Sequence, residues 1–259
     1  MLGRPQHLHA LVQGRDRLLA AARVTGPSVV VPTAHRWTVR DLVVHAGNVH
    51  DWAAAVLRTG VEQPQVFDAE PAGIGGSFDE LLFWYAARAG GLLDLLVGDE
   101  VPDDAAVWTF GPPGTAAFWP RRQAHEVTIH ALDVVLAGGE PVVDALLPLG
   151  AVISADGVDE VLSVMMPRVA IFVPRPALPG RLAIRATDSA DDWVLASDGQ
   201  IDAAATVSDA AASLSGPATG LLALLWRRAT LAADGAELGV SVEGDPAVVE
   251  ALFAARLTP

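Results

Sequence analysis

Apolar residues recur at helical spacing through the first half of the chain and give way to shorter runs in the second. Residues 5–24 set Leu8, Leu11, Val12, Leu18, Leu19 and Ala22 along an amphipathic helix that Gly26-Pro27 ends, with His7 and His9 exposed at its start. A connection containing Pro32 spans residues 28–36. Thr38, with Asp41 three positions on, makes a capping box for a second helix reaching Thr59-Gly60. Leu42, His45, Val49 and Trp52 mark its buried face, and His50 points away toward solvent. A loop over 61–76, rich in Pro, Gly and acidic residues, precedes Ser77, the cap of a third helix over 78–96. Its Phe83-Trp84-Tyr85 run reads as core, and its Gly90-Gly91 pair as a place to bend. A loop through Trp108-Thr109-Phe110 and Gly111-Pro112-Pro113-Gly114 leads to a fourth helix, with Pro120 in its first turn and no breaker before Gly138. Four long helices joined by loops read as an antiparallel bundle.

Gly138-Gly139-Glu140-Pro141 ends that helix, and residues 142–166 are again helical and apolar. Beyond Pro167 the pattern turns to strands, at 169–173, 181–186, 193–196, 205–207 and 239–242. A helix over 217–228 lies between the last two, and Asp245-Pro246 starts a final one over 247–256. The fold class is therefore α plus α+β. Residues 1–148 form the bundle and residues 149–259 a small α+β domain.

Composition narrows the chemistry. A net charge of -14 argues against nucleic acid or an anionic membrane as partner. All 17 basic residues are arginine, the mark of a GC-rich genome. With no cysteine, the chain has no disulfide, no thiolate ligand and no thiol nucleophile, so any thiol chemistry must come from a bound small molecule. No segment approaches the ~20 apolar residues that span a bilayer, and the N-terminus lacks a signal-peptide run, so a cytoplasmic protein is expected.

The chemistry concentrates between Trp119 and Asp133. On a helix, Arg122, Glu126 and His130 stack along one stripe, with Asp133 nearby. A carboxylate and an imidazole one turn apart, aimed the same way in an apolar segment, offer two ligands to a divalent metal. His125 and His130, five apart, stand about 140° around the helix and cannot share one ion, so the His-Glu-x-x-His reading does not apply. His125 is left as a residue behind the ligands or at the surface. Adding His45 from the second helix gives two imidazoles and one carboxylate, a set that leaves coordination positions open. Zinc is the first choice, and non-haem iron or nickel would suit the same donors.

The segments Trp37-Thr38-Val39-Arg40-Asp41-Leu42-Val43-Val44-His45 and Arg121-Arg122-Gln123-Ala124-His125-Glu126-Val127-Thr128-Ile129-His130-Ala131-Leu132-Asp133 resemble the signatures of the mycothiol-dependent maleylpyruvate isomerase family. The likeness extends through Val158-Asp159-Glu160-Val161-Leu162, Leu224-Leu225-Trp226-Arg227-Arg228 and Val242-Glu243-Gly244-Asp245, with Arg227 where a small residue would be expected. It implies a DinB-like four-helix metal-binding domain followed by a sterol-carrier-protein-like domain. It also implies His45, Glu126 and His130 as ligands of a divalent metal, and mycothiol, the thiol of GC-rich actinobacteria, as cofactor.

The reaction it implies is cis–trans isomerisation. A thiolate adds to an electron-poor double bond, the resulting single bond rotates, and elimination returns the trans isomer. Arg122 and Arg228 would hold the carboxylates of an anionic or electrophilic small-molecule substrate. An ion pair with Glu126 is the competing role for Arg122, and a solvated helix end for Arg228. Three other readings stay open: a mycothiol S-transferase acting on electrophiles, a non-catalytic ligand-binding protein braced by metal, and a metal-free descendant.

Overall fold

The computed structural model describes residues 2–34, 37–71, 76–98, 100–111 and 114–259. Residues 35 and 36 of the first connection, 72–75 of the acidic loop and Pro112-Pro113 lie outside the described residues. The chain divides into two compact units, Leu2–Pro141 and Val142–Pro259.

The N-terminal unit is helical. Helices α1 (Arg4–Thr25), α2 (Val39–Thr59), α3 (Phe78–Val97) and α4 (Phe118–Ala137) follow the apolar periodicity. The Thr38 side chain accepts from the Asp41 backbone N–H, and the Asp41 carboxylate accepts from the Thr38 N–H at 2.8 Å, so two orphan donors at the start of α2 are satisfied together. Ser77 and Glu80 repeat the device on α3, which runs unbroken through Gly90-Gly91. Helix α1 packs along α4 and α2 along α3, while α1 with α3 and α2 with α4 close the bundle. Glycine permits two close approaches in the bundle. A Cβ on Gly14 would stand 2.6 Å from Val127 Cγ1, and one on Gly47 would stand 2.1 Å from the Trp84 ring. The core holds Leu11, Leu18, Leu42, Leu81, Tyr85, Leu92, Trp119 and Leu132, all within 1% of full burial.

The C-terminal unit mixes helices with one small sheet. Helix α5 (Val142–Leu146) stops before Pro148, and α6 (Ala151–Glu160) then runs through a π-helical stretch, Val161–Met165, into α7 (Met166–Val169). Strands β1 (Leu182–Ala186), β2 (Asp192–Leu195), β3 (Ala212–Gly216) and β4 (Ser241–Gly244) stand in the order β2-β1-β3-β4. The β1–β3 pair is parallel and the two outer pairs antiparallel, with Ile184 between Trp193 and Leu214 in register. Helix α8 (Ala218–Leu225) covers β1 and β3 and packs on α6; α9 (Leu231–Asp234) is a single turn; and α10 (Pro246–Ala254) lies on β3 and β4. The architecture is α plus α+β. No helix among the described residues is long and apolar enough to cross a membrane.

Several sequence expectations need correction. Residues 169–173 are the end of α7 and a turn, with Ile171 and Phe172 exposed, because the helical run carries past Pro167. Residues 205–207 are not a strand; a 3-10 turn occupies Val207–Asp209, and the inner strand β3 follows it. Phe83 is 78% exposed rather than core, since it lies opposite Leu81, Leu82 and Tyr85 on α3. His7 is buried, one turn into α1, while His9 is exposed as expected.

Candidate metal centre

Helix α2 carries His45 and helix α4 carries Arg122, Glu126, His130 and Asp133. The i, i+4 spacing on α4 aligns Glu126 with His130, and their side chains meet: Glu126 Oε1 lies 3.1 Å from His130 Nε2. The same carboxylate oxygen lies 3.5 Å from His45 Nε2. One donor atom from each of the three residues falls within 4.8 Å of the others. Bonds of 2.0–2.1 Å to a tetrahedral ion place ligand atoms about 3.3 Å apart, so both measured separations match an edge of that figure. Two imidazoles and a carboxylate at this spacing fit a divalent cation that keeps open coordination positions.

The surroundings organise these donors. Arg122, almost fully buried, forms an ion pair with Glu126 Oε2, leaving Oε1 facing the imidazoles. Burial alone would raise the Glu126 carboxyl, but the Arg122 guanidinium and the neighbouring imidazoles hold it well below the usual carboxylate range. Burial would likewise lower His130, and the Glu126 and Asp133 carboxylates instead push it up to about 9. His130 Nδ1 lies 3.0 Å from Asp133 Oδ2. With a proton on Nδ1, the lone pair of the ring sits on Nε2, aimed at the centre of the trio. Rings flank the other imidazole: Trp37 is 4.6 Å from His45 between centroids and Phe67 5.6 Å. Phe67 in turn leans on Trp52, which joins Trp108, Phe110 and Trp119 in one aromatic cluster.

Two histidines set aside as solvated or peripheral are buried. His50 Nδ1 pairs with Gln123 at 2.8 Å, and its complete burial pushes it down to about 4. His125 packs edge-on against His7, with centroids 6.2 Å apart. A polar residue inside a bundle is recognisable only through a partner on another helix, and for His50 that partner, Gln123, is 73 residues away.

The Mycothiol maleylpyruvate isomerase N-terminal domain family matches residues 8–135, and the MDMPI C-terminal domain family matches residues 153–251. The chain belongs to the mycothiol-dependent maleylpyruvate isomerase family. Among solved structures, a histidine-to-alanine variant of mycothiol-dependent maleylpyruvate isomerase is similar over 94% of this chain and 95% of that one, with a TM-score of 0.57 and 16% identity. A crystal structure of mycothiol-dependent maleylpyruvate isomerase is similar over the same shares, with a TM-score of 0.52 and 16% identity. At that identity the likeness is one of fold. No curated protein matches the chain significantly in sequence.

For this member of the mycothiol-dependent maleylpyruvate isomerase family, the two arginines expected to meet substrate stand differently. Arg122 belongs to the trio's own network through Glu126. Arg228 follows α8 in the C-terminal unit, half-buried, with Nη1 donating to Trp226 O at 2.6 Å and its guanidinium 5.6 Å from the centroid of the Trp226 ring. Arg227, where a small residue was expected, has φ 57°, a left-handed backbone that suits a glycine best. Its guanidinium donates to Phe253 O at 3.1 Å and to Ala255 O.

Proposed function

We propose that the protein is a metal-dependent enzyme that uses mycothiol as its thiol cofactor and performs a maleylpyruvate isomerase-like cis–trans isomerisation by thiolate addition and elimination. The observation that supports this most is that His45, His130 and Glu126 each bring one donor atom within 4.8 Å of the others, with Glu126 Oε1 3.5 and 3.1 Å from the two Nε2 atoms, in a chain of this family. These three residues would hold the ion, zinc first. A divalent cation bound there supplies the positive charge that keeps a thiol ionised near neutral pH.

The chain's own groups have separable tasks. Asp133 holds the His130 ring by its Nδ1, so that an ion taking the place of the Nε2 proton would meet the ring lone pair on the side of the trio. Arg122 keeps Glu126 ionised and turned so that one oxygen faces both imidazoles. Trp37 and Phe67 cover the His45 ring and exclude water from that side. Arg228 offers a guanidinium fork for a substrate carboxylate.

The reading is tested by supplying zinc-loaded protein with mycothiol and maleylpyruvate and following the cis and trans isomers. Conversion that needs both zinc and mycothiol, and that His45→Ala abolishes, is the expected result. Conversion without mycothiol would overturn it, and a stable thiol adduct that accumulates without elimination would make the protein an S-transferase.

A further inference from the structure

The two imidazoles of the trio are not supported alike. His130 has its outer nitrogen bonded to a buried carboxylate, whose other oxygen accepts from the Thr33 hydroxyl at 2.6 Å. His45 Nδ1 is buried and has no hydrogen-bond partner among the described residues. A histidine that ligates a metal through Nε2 normally donates its Nδ1–H to a carboxylate or carbonyl, which fixes the ring and raises its basicity. A carboxylate oxygen close to filling that role is Asp68 Oδ1, 3.8 Å from His45 Nδ1, on a side chain that is 76% exposed and therefore free to turn. An oxygen about 1 Å closer would make an ordinary hydrogen bond.

The segment that carries Asp68 is fastened to α2 on both sides of it. Asn48, one turn beyond His45, donates from Nδ2 to Phe67 O at 2.8 Å and to Ala69 O at 2.9 Å, bracketing Asp68 by its two neighbours. Arg40 grips the next residue, Glu70, with two hydrogen bonds of 3.2 and 2.9 Å. The Phe67 ring meets the His45 ring edge-on. Four hydrogen bonds and one ring contact, from three residues of α2, thus hold an otherwise irregular loop whose exposed Asp68 carboxylate stands 3.8 Å from the unpaired nitrogen.

We propose that Asp68 is the positioning residue of His45: its carboxylate closes on Nδ1–H and so orients Nε2 toward the metal, as Asp133 does for His130. The inference rests on His45 being a metal ligand, and the experiment separates the two claims. Zinc affinity is measured by chelator competition for the wild type and for Asp68→Ala, Asp68→Glu, Glu62→Ala and His45→Ala. In the same samples the His45 ring protons are followed by nitrogen-edited NMR. Asp68→Ala is expected to weaken zinc binding about 10–100-fold and to remove the slowly exchanging Nδ1 proton of His45, with Asp68→Glu restoring much of both. Glu62→Ala, which removes an exposed charge from the same loop, should leave affinity within about twofold. Loss of zinc in His45→Ala together with wild-type affinity and an unchanged Nδ1 proton in Asp68→Ala overturns the role of Asp68 alone. An equal loss in Glu62→Ala overturns it too, as an effect of net charge. Retention of zinc by His45→Ala overturns the ligand assignment beneath it.

Discussion

His130 Nδ1 and Asp133 Oδ2 stand 3.0 Å apart, with Asp133 fully buried and its second oxygen held by Thr33. With an ion on Nε2, this carboxylate would keep the remaining ring proton of His130 on Nδ1. Asp133→Asn keeps the volume but lets the amide present a donor to the ring, so the tautomer that frees Nε2 loses its support. Zinc affinity should fall about 10–100-fold, measured by chelator competition, while the circular dichroism spectrum stays helical.

The buried pair of His50 and Gln123 gives the fold an acid-sensitive point. His50 has its pKa lowered from 6.5 to about 4 by burial, so it is neutral when folded and takes a proton more readily when unfolded. The unfolded state then binds more protons between those values, and stability rises with pH across that window. The full span amounts to about 3 kcal/mol, lost as the pH falls from 6.5 toward 4. Urea unfolding of the metal-free protein at several pH values should show this slope, and His50→Gln, which does not titrate, should flatten it. An equal slope in the variant would assign the acid sensitivity to other groups.

Close packing of α1 on α4 depends on Gly14. A larger side chain there meets Val127 Cγ1 at 2.6 Å and the Thr128 backbone nitrogen at 3.3 Å, with no room to yield on the backbone side. Gly14→Val should destabilise the protein by about 1–3 kcal/mol through overpacking, seen as a lower urea midpoint. Because α4 carries Glu126 and His130, zinc affinity should drop with it.

Arg228→Ala separates a substrate role from a structural one. The Arg228 guanidinium is half-buried and lies 5.6 Å from the centroid of the Trp226 ring. Turnover of a carboxylate substrate should fall by about tenfold or more with a change in the thermal midpoint of only a few degrees. Unchanged steady-state kinetics would remove Arg228 from the reaction.

What could be read from the sequence was local. The capping boxes at Thr38 and Ser77, the apolar stripes of the four long helices and the alignment of Glu126 with His130 all arise within a few residues. That His45 joins them depends on how α2 crosses α4, which spacing along one helix does not contain; its place on the buried face of the second helix, together with the family likeness, supplied the expectation. Strand β3 escaped notice because Ala212-Ser213-Leu214-Ser215-Gly216 is built of poor strand formers, stabilised by its place between β1 and β4. The β-branched and aromatic run at 169–173 misled in the opposite sense, since the helical run through α7 governs it. His50 reads as solvated from its own helix because Gln123, the partner that satisfies it, lies 73 residues away.

The central claim is that three side chains from two helices hold one metal ion. It is tested most directly by anomalous diffraction at the zinc edge from crystals grown with zinc. A single peak about 2.0–2.2 Å from His45 Nε2, His130 Nε2 and a Glu126 oxygen is the predicted result. Stoichiometric zinc bound elsewhere, with these three atoms touching no ion, would contradict it.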